Sequence, residues 1–435
     1  MKIMRQSIRL GRRDRQFPVA LLSIYFFFYI FLPPITGLNM RLLFTACNVI
    51  FVFAVTLFRG RIVIAGKTMK GIYGFILFYV LFLIIQLLHY ITDSSNRNEI
   101  AAATLSNTLL ILHAVAICLL LSVLCKHYGL NFRRFLGAIT GAGIIELILV
   151  MLALFVPSIK SQFIQMIVKN SKSDEILNVI QRYSYERSFG FADNLFDTFG
   201  YISALIIGLT FLTGISEKNK RLTALSLIML FMPLLNSRSG LMLSIIGILV
   251  VCFRYFKPKN FIKYIIAGVT VVVLAIFTWQ RIPENTVKWI TTGITQTWTL
   301  LTGGGATGVY NELFHVDMKF PPDFLLGAGY APQAIGIIGI DSGYVQCIWR
   351  YGLFGTIVLF LAIIHYFSFF GRTIGEKREK VAFTLILAIL FIYLIKLLGV
   401  VSTGANLILF GTPIVALYSS NNPEISFQKG KINGI

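Results

Sequence analysis

Long apolar stretches, separated by short polar connections, run through the whole chain. Each is close to the length of about 20 residues that a helix needs to cross a bilayer. None alternates residue by residue, as the strands of a membrane barrel do. The pattern therefore predicts an all-α polytopic membrane protein with about twelve transmembrane helices. The predicted spans are 17–32, 40–58, 71–91, 101–125, 135–157, 194–214, 222–236, 239–253, 264–280, 343–370, 381–401 and 407–419.

The composition supports the membrane assignment. Of the 435 residues, 56% are hydrophobic and only 13% are charged. A soluble domain of this size could not bury so much apolar surface. We therefore treat residues 1–435 as a single integral membrane domain.

The placement of the basic residues predicts the orientation. A net charge of +21 is compatible with nucleic-acid binding, but 26 of the 39 Lys and Arg residues lie in the connections on the same side as the N-terminus. Such an excess marks cytoplasmic loops. We therefore expect a multi-pass membrane protein with both termini in the cytoplasm and no nucleic-acid partner.

Two long polar segments, 158–193 and 281–342, fall on the outward side. In each, apolar residues recur at helical spacing, which is typical of a helix lying on the membrane surface. We expect two long periplasmic loops with interfacial helices. The apolar stripes are Ile176, Val179, Ile180 and Tyr183 in the first loop and Val287, Ile290, Ile294 and Trp298 in the second.

Four arginines lie at the predicted outer face: Arg182, Arg187, Arg238 and Arg281. Arginine is costly near lipid, and outward arginines oppose the orientation bias. Guanidinium groups bind phosphates bidentately and stay charged. We interpret the group, and Arg187 with Arg238 above all, as a binding site for a lipid pyrophosphate. The alternative is snorkelling to headgroups or pairing with loop acids.

Asp341 and His315 are the candidate catalytic residues on the same side. A carboxylate at the entrance of a span can act as a general base toward a sugar hydroxyl, and histidine is the usual alternative. Asp341 also suits a helix N-cap. Trp298, Tyr330 and Tyr344 can stack on sugars, although aromatic residues at an interface also serve as anchors.

Glu146 lies within a predicted span, where a carboxylate is a functional candidate. It can equally pair with Lys396 or Arg350 as a structural lock. Nearby glycines Gly137 and Gly141 predict close helix contact. No His, Asp or Glu cluster has metal-ligand spacing, so we expect neither a metal nor another cofactor.

Several of these motifs together resemble the superfamily of O-antigen polymerases (Wzy-type) and O-antigen ligases. The predicted topology of twelve spans and two dominant outer loops is similar to that superfamily as well. The motifs are Arg187-Ser188-Phe189-Gly190 followed by Asp193-Asn194; Ser237-Arg238-Ser239-Gly240; Leu326-Gly327-Ala328-Gly329; and Asp341-Ser342-Gly343-Tyr344 with Tyr351-Gly352-Leu353-Phe354-Gly355.

The resemblance implies a metal-independent glycosyltransferase that uses a lipid-linked donor, like enzymes of the GT-C type. Such an enzyme would transfer a growing glycan from undecaprenyl pyrophosphate to a lipid-linked oligosaccharide repeat unit, with a chain-length regulator as a partner. Arg187 and Arg238 would hold the donor pyrophosphate. Ligases of the superfamily commonly have His-Asn where this chain has Asp341-Ser342, which favours the polymerase. The alternatives are an O-antigen ligase acting on lipid A core and a flippase or other transporter.

Overall fold

A computed structural model describes residues 18–35, 38–59, 66–170, 187, 190–192, 196–255, 283–302, 319–335, 342–395 and 403–420. Within these ranges the chain forms fourteen α-helices and no strand. In chain order they are α1 (Val19–Phe31), α2 (Met40–Arg59), α3 (Gly66–Thr92), α4 (Arg97–Tyr128), α5 (Phe132–Phe155), α6 (Pro157–Asn170), α7 (Phe196–Ser216), α8 (Lys220–Ile228), α9 (Phe231–Asn236), α10 (Arg238–Tyr255), α11 (Glu284–Leu301), α12 (Gly343–Thr373), α13 (Lys377–Tyr393) and α14 (Thr403–Ser420).

Seven helices of the described residues are long and apolar enough to cross a membrane: α2, α3, α4, α5, α7, α10 and α12. The apolar helices α1 and α14 are shorter. The predicted span 222–236 is divided between α8 and α9, and the predicted span 264–280 lies outside the described residues. An all-α membrane fold is therefore confirmed, whereas the number of twelve spans and the cytoplasmic termini stay predictions.

Helix α7 forms the centre of the bundle. Within its apolar span 89% of the residues are buried, and it packs against α5, α8, α10 and α13. A helix that is apolar all round is expected in such a position. Its closest neighbour is α10, because Gly200 and Gly240 face each other and a Cβ on either would collide with the other helix. This close approach brings the N-terminal ends of α7 and α10 together.

The predicted glycine face of α5 is confirmed. Gly141 lies against Ser23 of α1, and Gly137 lies against Val19 of the same helix. The glycines leave room for the side chains of Ser23 and Val19, so that α1 and α5 pack closely.

Helix α12 is broken at Gly352, and the end of the second long loop fills the break. Gly352 has a φ of 67° and a ψ of 174°. The amide of Leu353 donates to the carbonyl of Phe324 at 3.0 Å, and the amide of Ala328 donates to the carbonyl of Trp349 at 2.7 Å. Backbone groups released by a break at membrane depth need such partners, since no water is available there. Two glycine-containing motifs of the sequence, 326–329 and 351–355, meet at this point.

Ion pairs tie the helices together at the opposite end of the bundle. Glu217, after α7, accepts from Arg133 of α5 at 2.9 Å and from Arg378 of α13 at 3.2 Å. Arg133 is 73% exposed, so its pair contributes little. Arg378 is only 18% exposed and also lies over the ring of Phe132. The pair between Glu217 and Arg378 is therefore the one that fixes α7 against α13 at this end.

The helices of the two long loops differ from expectation. In the first loop the structure has α6 at Pro157–Asn170, whereas the stripe predicted at 176–183 lies outside the described residues. In the second loop α11 confirms the predicted helix. Its buried positions are Thr286, Trp289, Ile290 and Gly293. Of the predicted stripe, Ile290 is buried and Val287 is half-buried, whereas the side chains of Ile294 and Trp298 lie outside the described residues.

Replacing Gly352 by Ala is expected to destabilise the fold. The φ of Gly352 disfavours any side chain, which alone costs about 1–3 kcal/mol, and an added Cβ would collide with the carbonyl oxygen of Leu325. We expect a lower thermal midpoint for the detergent-purified variant. Gly375→Ala is the matched control, because a Cβ there meets nothing within 4 Å. Equal midpoints for the two variants would contradict the role assigned to the break.

Candidate functional site

Arg238 begins α10 and is held by α11. Its Nη1 donates to Oε1 of Gln296 at 2.7 Å, and its Nη2 donates to the carbonyl oxygen of Trp289 at 2.9 Å. Gly293 lies between these residues on α11, and a Cβ there would collide with the Arg238 side chain. A glycine at 293 therefore allows the arginine to lie along the surface of α11.

Arg187 reaches the same place from the segment that precedes α7. Its Nη1 donates to the carbonyl oxygen of Asn236, the last residue of α9, at 3.3 Å. Its Cζ lies 5.2 Å from the centre of the Trp289 ring, and the Cζ of Arg238 lies 5.0 Å from the same centre. The two guanidinium carbons are therefore within about 10 Å of each other. The structure thus brings together the two arginines that the sequence singled out.

Trp289 is the residue on which this arrangement converges. It is only 7% exposed, and an indole ring attracts cations through its quadrupole. The sequence predicted that α11 lies on the membrane with an apolar stripe beginning at Val287. In the structure the arginines contact α11 at the ring and the carbonyl oxygen of Trp289 and at Gly293.

Asp197, in the first turn of α7, is a polar residue of the site that the sequence reasoning did not identify. Its Oδ1 accepts hydrogen bonds from the hydroxyls of Ser237, at 3.1 Å, and of Ser239. These serines flank Arg238 in the chain. A carboxylate is favourable here because the N-terminal ends of α7 and α10 meet. Two features of the sequence could have pointed to Asp197: an acid in the first turn of a span, and serines on both sides of Arg238.

Glu146 supports the segment that carries Arg187. Its side chain is fully buried, and it lies against Gly190, where a Cβ would collide with Oε1. Within the described ranges neither carboxylate oxygen pairs with Arg350, so that alternative is not found. Lys396, the other possible partner, lies outside those ranges. In the described part of the chain, Glu146 lies against the backbone of the segment at Gly190.

The two predicted tyrosines are occupied with packing. The hydroxyl of Tyr344 donates to the carbonyl of Phe391 at 2.8 Å. Tyr330 is only 6% exposed and packs on Trp349. Tyr344 is half-buried, and its ring meets that of Phe360 edge-on. The described contacts therefore do not place either tyrosine with the arginine pair.

The remaining candidates lie where the structure gives no account of the side chain. Asp341, His315, Arg182 and Arg281 are outside the described residues, as is the side chain of Trp298 on α11. The N-cap of α12 is Ser342, which makes no side-chain capping bond. The N-cap position of α12 is thus filled by Ser342 of the Asp341-Ser342 pair.

This arrangement is suited to binding an anion with several oxygen atoms. Two guanidinium groups present up to ten N–H donors in planar forks that match phosphate geometry. Hydrogen bonds from a guanidinium group to a charged oxygen are stronger than those to neutral oxygens. In the described part of the chain, no three His, Cys, Asp or Glu side chains are grouped as a metal site requires.

Comparison with known proteins adds no relative. No family model matches the chain, and no curated protein matches it.

The purified protein is expected to bind inorganic pyrophosphate through the arginine pair. Loss of a hydrogen bond to a charged group costs about 1.5–3 kcal/mol. Arg187→Gln and Arg238→Gln should therefore each weaken the affinity by roughly 10- to 100-fold. Isothermal titration calorimetry in detergent measures this. Arg221→Gln is the control, because Arg221 is exposed at the start of α8. Wild-type affinity in both site variants would contradict the assignment.

Proposed function

We propose that the protein is a polysaccharide polymerase of the O-antigen polymerase type. It transfers a growing glycan from undecaprenyl pyrophosphate to a lipid-linked oligosaccharide repeat unit. The observation that carries the proposal is the convergence of Arg187 and Arg238 on Trp289, at one end of a bundle of membrane helices. A lipid pyrophosphate has its anionic group at the membrane surface and its tail in the bilayer, which suits a charged site at such a position.

The arginine pair matches the chemistry of the leaving group. When a hydroxyl of the acceptor sugar attacks the anomeric carbon, the bond from that carbon to the pyrophosphate oxygen breaks. Negative charge develops on the departing pyrophosphate. Preorganised cationic donors lower the barrier by stabilising that charge. Because Gln296 and the backbone of Trp289 already hold Arg238, little reorganisation is needed when the charge develops.

The proton of the attacking hydroxyl needs an acceptor. Asp341 is the candidate base on the grounds of the resemblance, and His315 is the second candidate. General base catalysis contributes about 10²–10⁴-fold. Asp197 accepts hydrogen bonds from the hydroxyls of Ser237 and Ser239, the residues on either side of Arg238. We assign Asp197 to orienting the serine pair next to the arginines.

The proposal includes a location and partners. The protein works in the bacterial inner membrane with its site facing the periplasm, without a cofactor, and together with a chain-length regulator. The predicted excess of Lys and Arg on the other side supports this orientation. The described bundle has Arg133, Arg378 and Glu217 at the end opposite the arginine pair, which agrees with it.

The two alternatives, a ligase and a transporter, account for fewer features of the sequence. Asp341-Ser342 replaces the His-Asn that is common in ligases of the superfamily. A transporter predicts polar residues along a route through many spans, whereas the predicted spans 1–4, 7, 8 and 12 are nearly bare of charge. Both remain distinguishable by experiment.

The surface-polysaccharide profile of a host lacking this gene tests the proposal. We expect the ladder of glycan lengths to collapse to a single attached repeat unit. Wild-type protein should restore the ladder, whereas Arg238→Ala and Arg238→Lys should not, because Lys lacks the fork of donors. Gel electrophoresis of the extracted polysaccharide measures the lengths.

Arg221→Ala, made at equal protein level, is the control and should restore the ladder. Complete loss of attached glycan, with lipid-linked polymer accumulating, would indicate a ligase instead. An unchanged ladder in the deletion host would contradict both enzymes and favour a transporter.

A further inference from the structure

A crevice opens between α3, α4, α12 and α14, none of which carries the arginine pair. Its volume is 260 Å³, and its walls are mainly aliphatic and aromatic. Phe78 and Phe82 of α3 meet the ring of Tyr351 edge-on, with centroids 5.4 and 5.6 Å apart. Such edge-to-face contacts hold the aromatic walls in defined positions. The space is therefore built into the packing of four helices.

The crevice opens sideways toward the lipid. Ile76 on α3 and Val115 on α4 line it, and they are 43% and 39% exposed. Both helices have the length and composition to cross a membrane. Exposed apolar side chains in the middle of such helices face the hydrocarbon of the bilayer. An occupant therefore enters from the bilayer.

One polar side chain in the crevice has no partner. Asn406 of α14 is only 1% exposed, and neither its Nδ2 nor its Oδ1 is hydrogen-bonded within the described residues. The nearby polar groups are engaged, since the Tyr351 hydroxyl donates to Oδ1 of Asn107 at 3.3 Å. Buried amides are almost always hydrogen-bonded. Asn406 therefore indicates an occupant with a hydrogen-bonding group.

The depth of Asn406 indicates which group this is. Helix α14 has 18 residues, a length of about 27 Å, so its ends lie near the boundaries of a hydrocarbon layer of about 30 Å. Its C-terminal residue Ser420 bonds to Glu379 near the start of α13, so the Thr403 end is on the side of the arginine pair. Asn406 lies about 4.5 Å inside that end. Phe410, one turn deeper, continues the apolar wall.

We propose that the crevice binds one acyl chain of a bilayer phospholipid, with the ester carbonyl accepting a hydrogen bond from Nδ2 of Asn406. A polyprenyl chain carries no such acceptor along its hydrocarbon. A single water needs only about 15 Å³, so a water bound to Asn406 would leave most of the 260 Å³ crevice to another occupant. The inference is independent of the proposed function, because it concerns other helices and another ligand.

Photo-crosslinking tests this site. The full-length protein is reconstituted in vesicles that contain phosphatidylcholine with a diazirine in one acyl chain, and adducts are located by mass spectrometry. We expect adducts on Ile111 and Leu359 inside the crevice. Ala114→Trp, which fills the crevice, should lower them at least tenfold, whereas Leu112→Trp on the lipid-facing side of α4 (52% exposed) should leave them unchanged. Asn406→Leu should also reduce them, and Asn406→Gln should preserve part of the signal.

Three results would overturn the proposal. Adducts confined to lipid-facing residues, or equal labelling in Ala114→Trp and Leu112→Trp, would mean that no chain enters the crevice. Displacement of the probe by a polyprenyl phosphate at lower concentration than by unlabelled phosphatidylcholine would assign the crevice to a polyprenyl chain. Only variants that elute from a size-exclusion column like the wild type, and are therefore folded, enter the comparison.

Discussion

Two guanidinium groups on one indole ring are the interaction on which the rest of the site depends. At the largest separation that the two ring contacts allow, about 10 Å, two unit charges repel each other by about 2 kcal/mol at an effective dielectric constant of about 20, and by more if they are closer. Each cation–π contact with Trp289 offsets about 0.5–2 kcal/mol of this. An anion bound by both guanidinium groups would offset their mutual repulsion further. The site is therefore most stable when it holds the kind of ligand that two arginines bind.

This requirement explains several features of the fold. Gly200 and Gly240 let α7 and α10 approach, and Asp197 of α7 accepts hydrogen bonds from Ser237 and Ser239, which flank Arg238 in the chain. Gly293 gives the Arg238 side chain its space on α11. The short break at Ser237 between α9 and α10 presents Asn236 to Arg187 and Arg238 to Trp289. Glycines thus lie at the close contacts between α7 and α10 and between Arg238 and α11.

The sequence predicted the membrane helices well, because an apolar stretch of about 20 residues has few alternatives in a bilayer. It also identified Arg187 and Arg238 from their cost near lipid. It did not identify Trp289 as their common partner, because Trp289 lies 51 residues after Arg238 and 102 residues after Arg187. It also did not identify Asp197, which lies 41 residues before Arg238. The break in α12 was not predicted as a break, since Gly352 lies within an apolar run that reads as one helix. Its role emerges only when the loop at 324–329 supplies the missing hydrogen bonds.

The kinetic coupling between Arg187 and Arg238 tests the central claim most directly. The measurement is the polymerisation rate of purified protein in vesicles with lipid-linked repeat units, for Arg187→Lys, Arg238→Lys and the double variant. Residues that act as a unit have strongly non-additive effects. If the two arginines hold one pyrophosphate, the double variant is little slower than either single variant. If the fold-losses of the single variants multiply in the double variant, or if either single variant keeps the wild-type rate, the two arginines do not form one site.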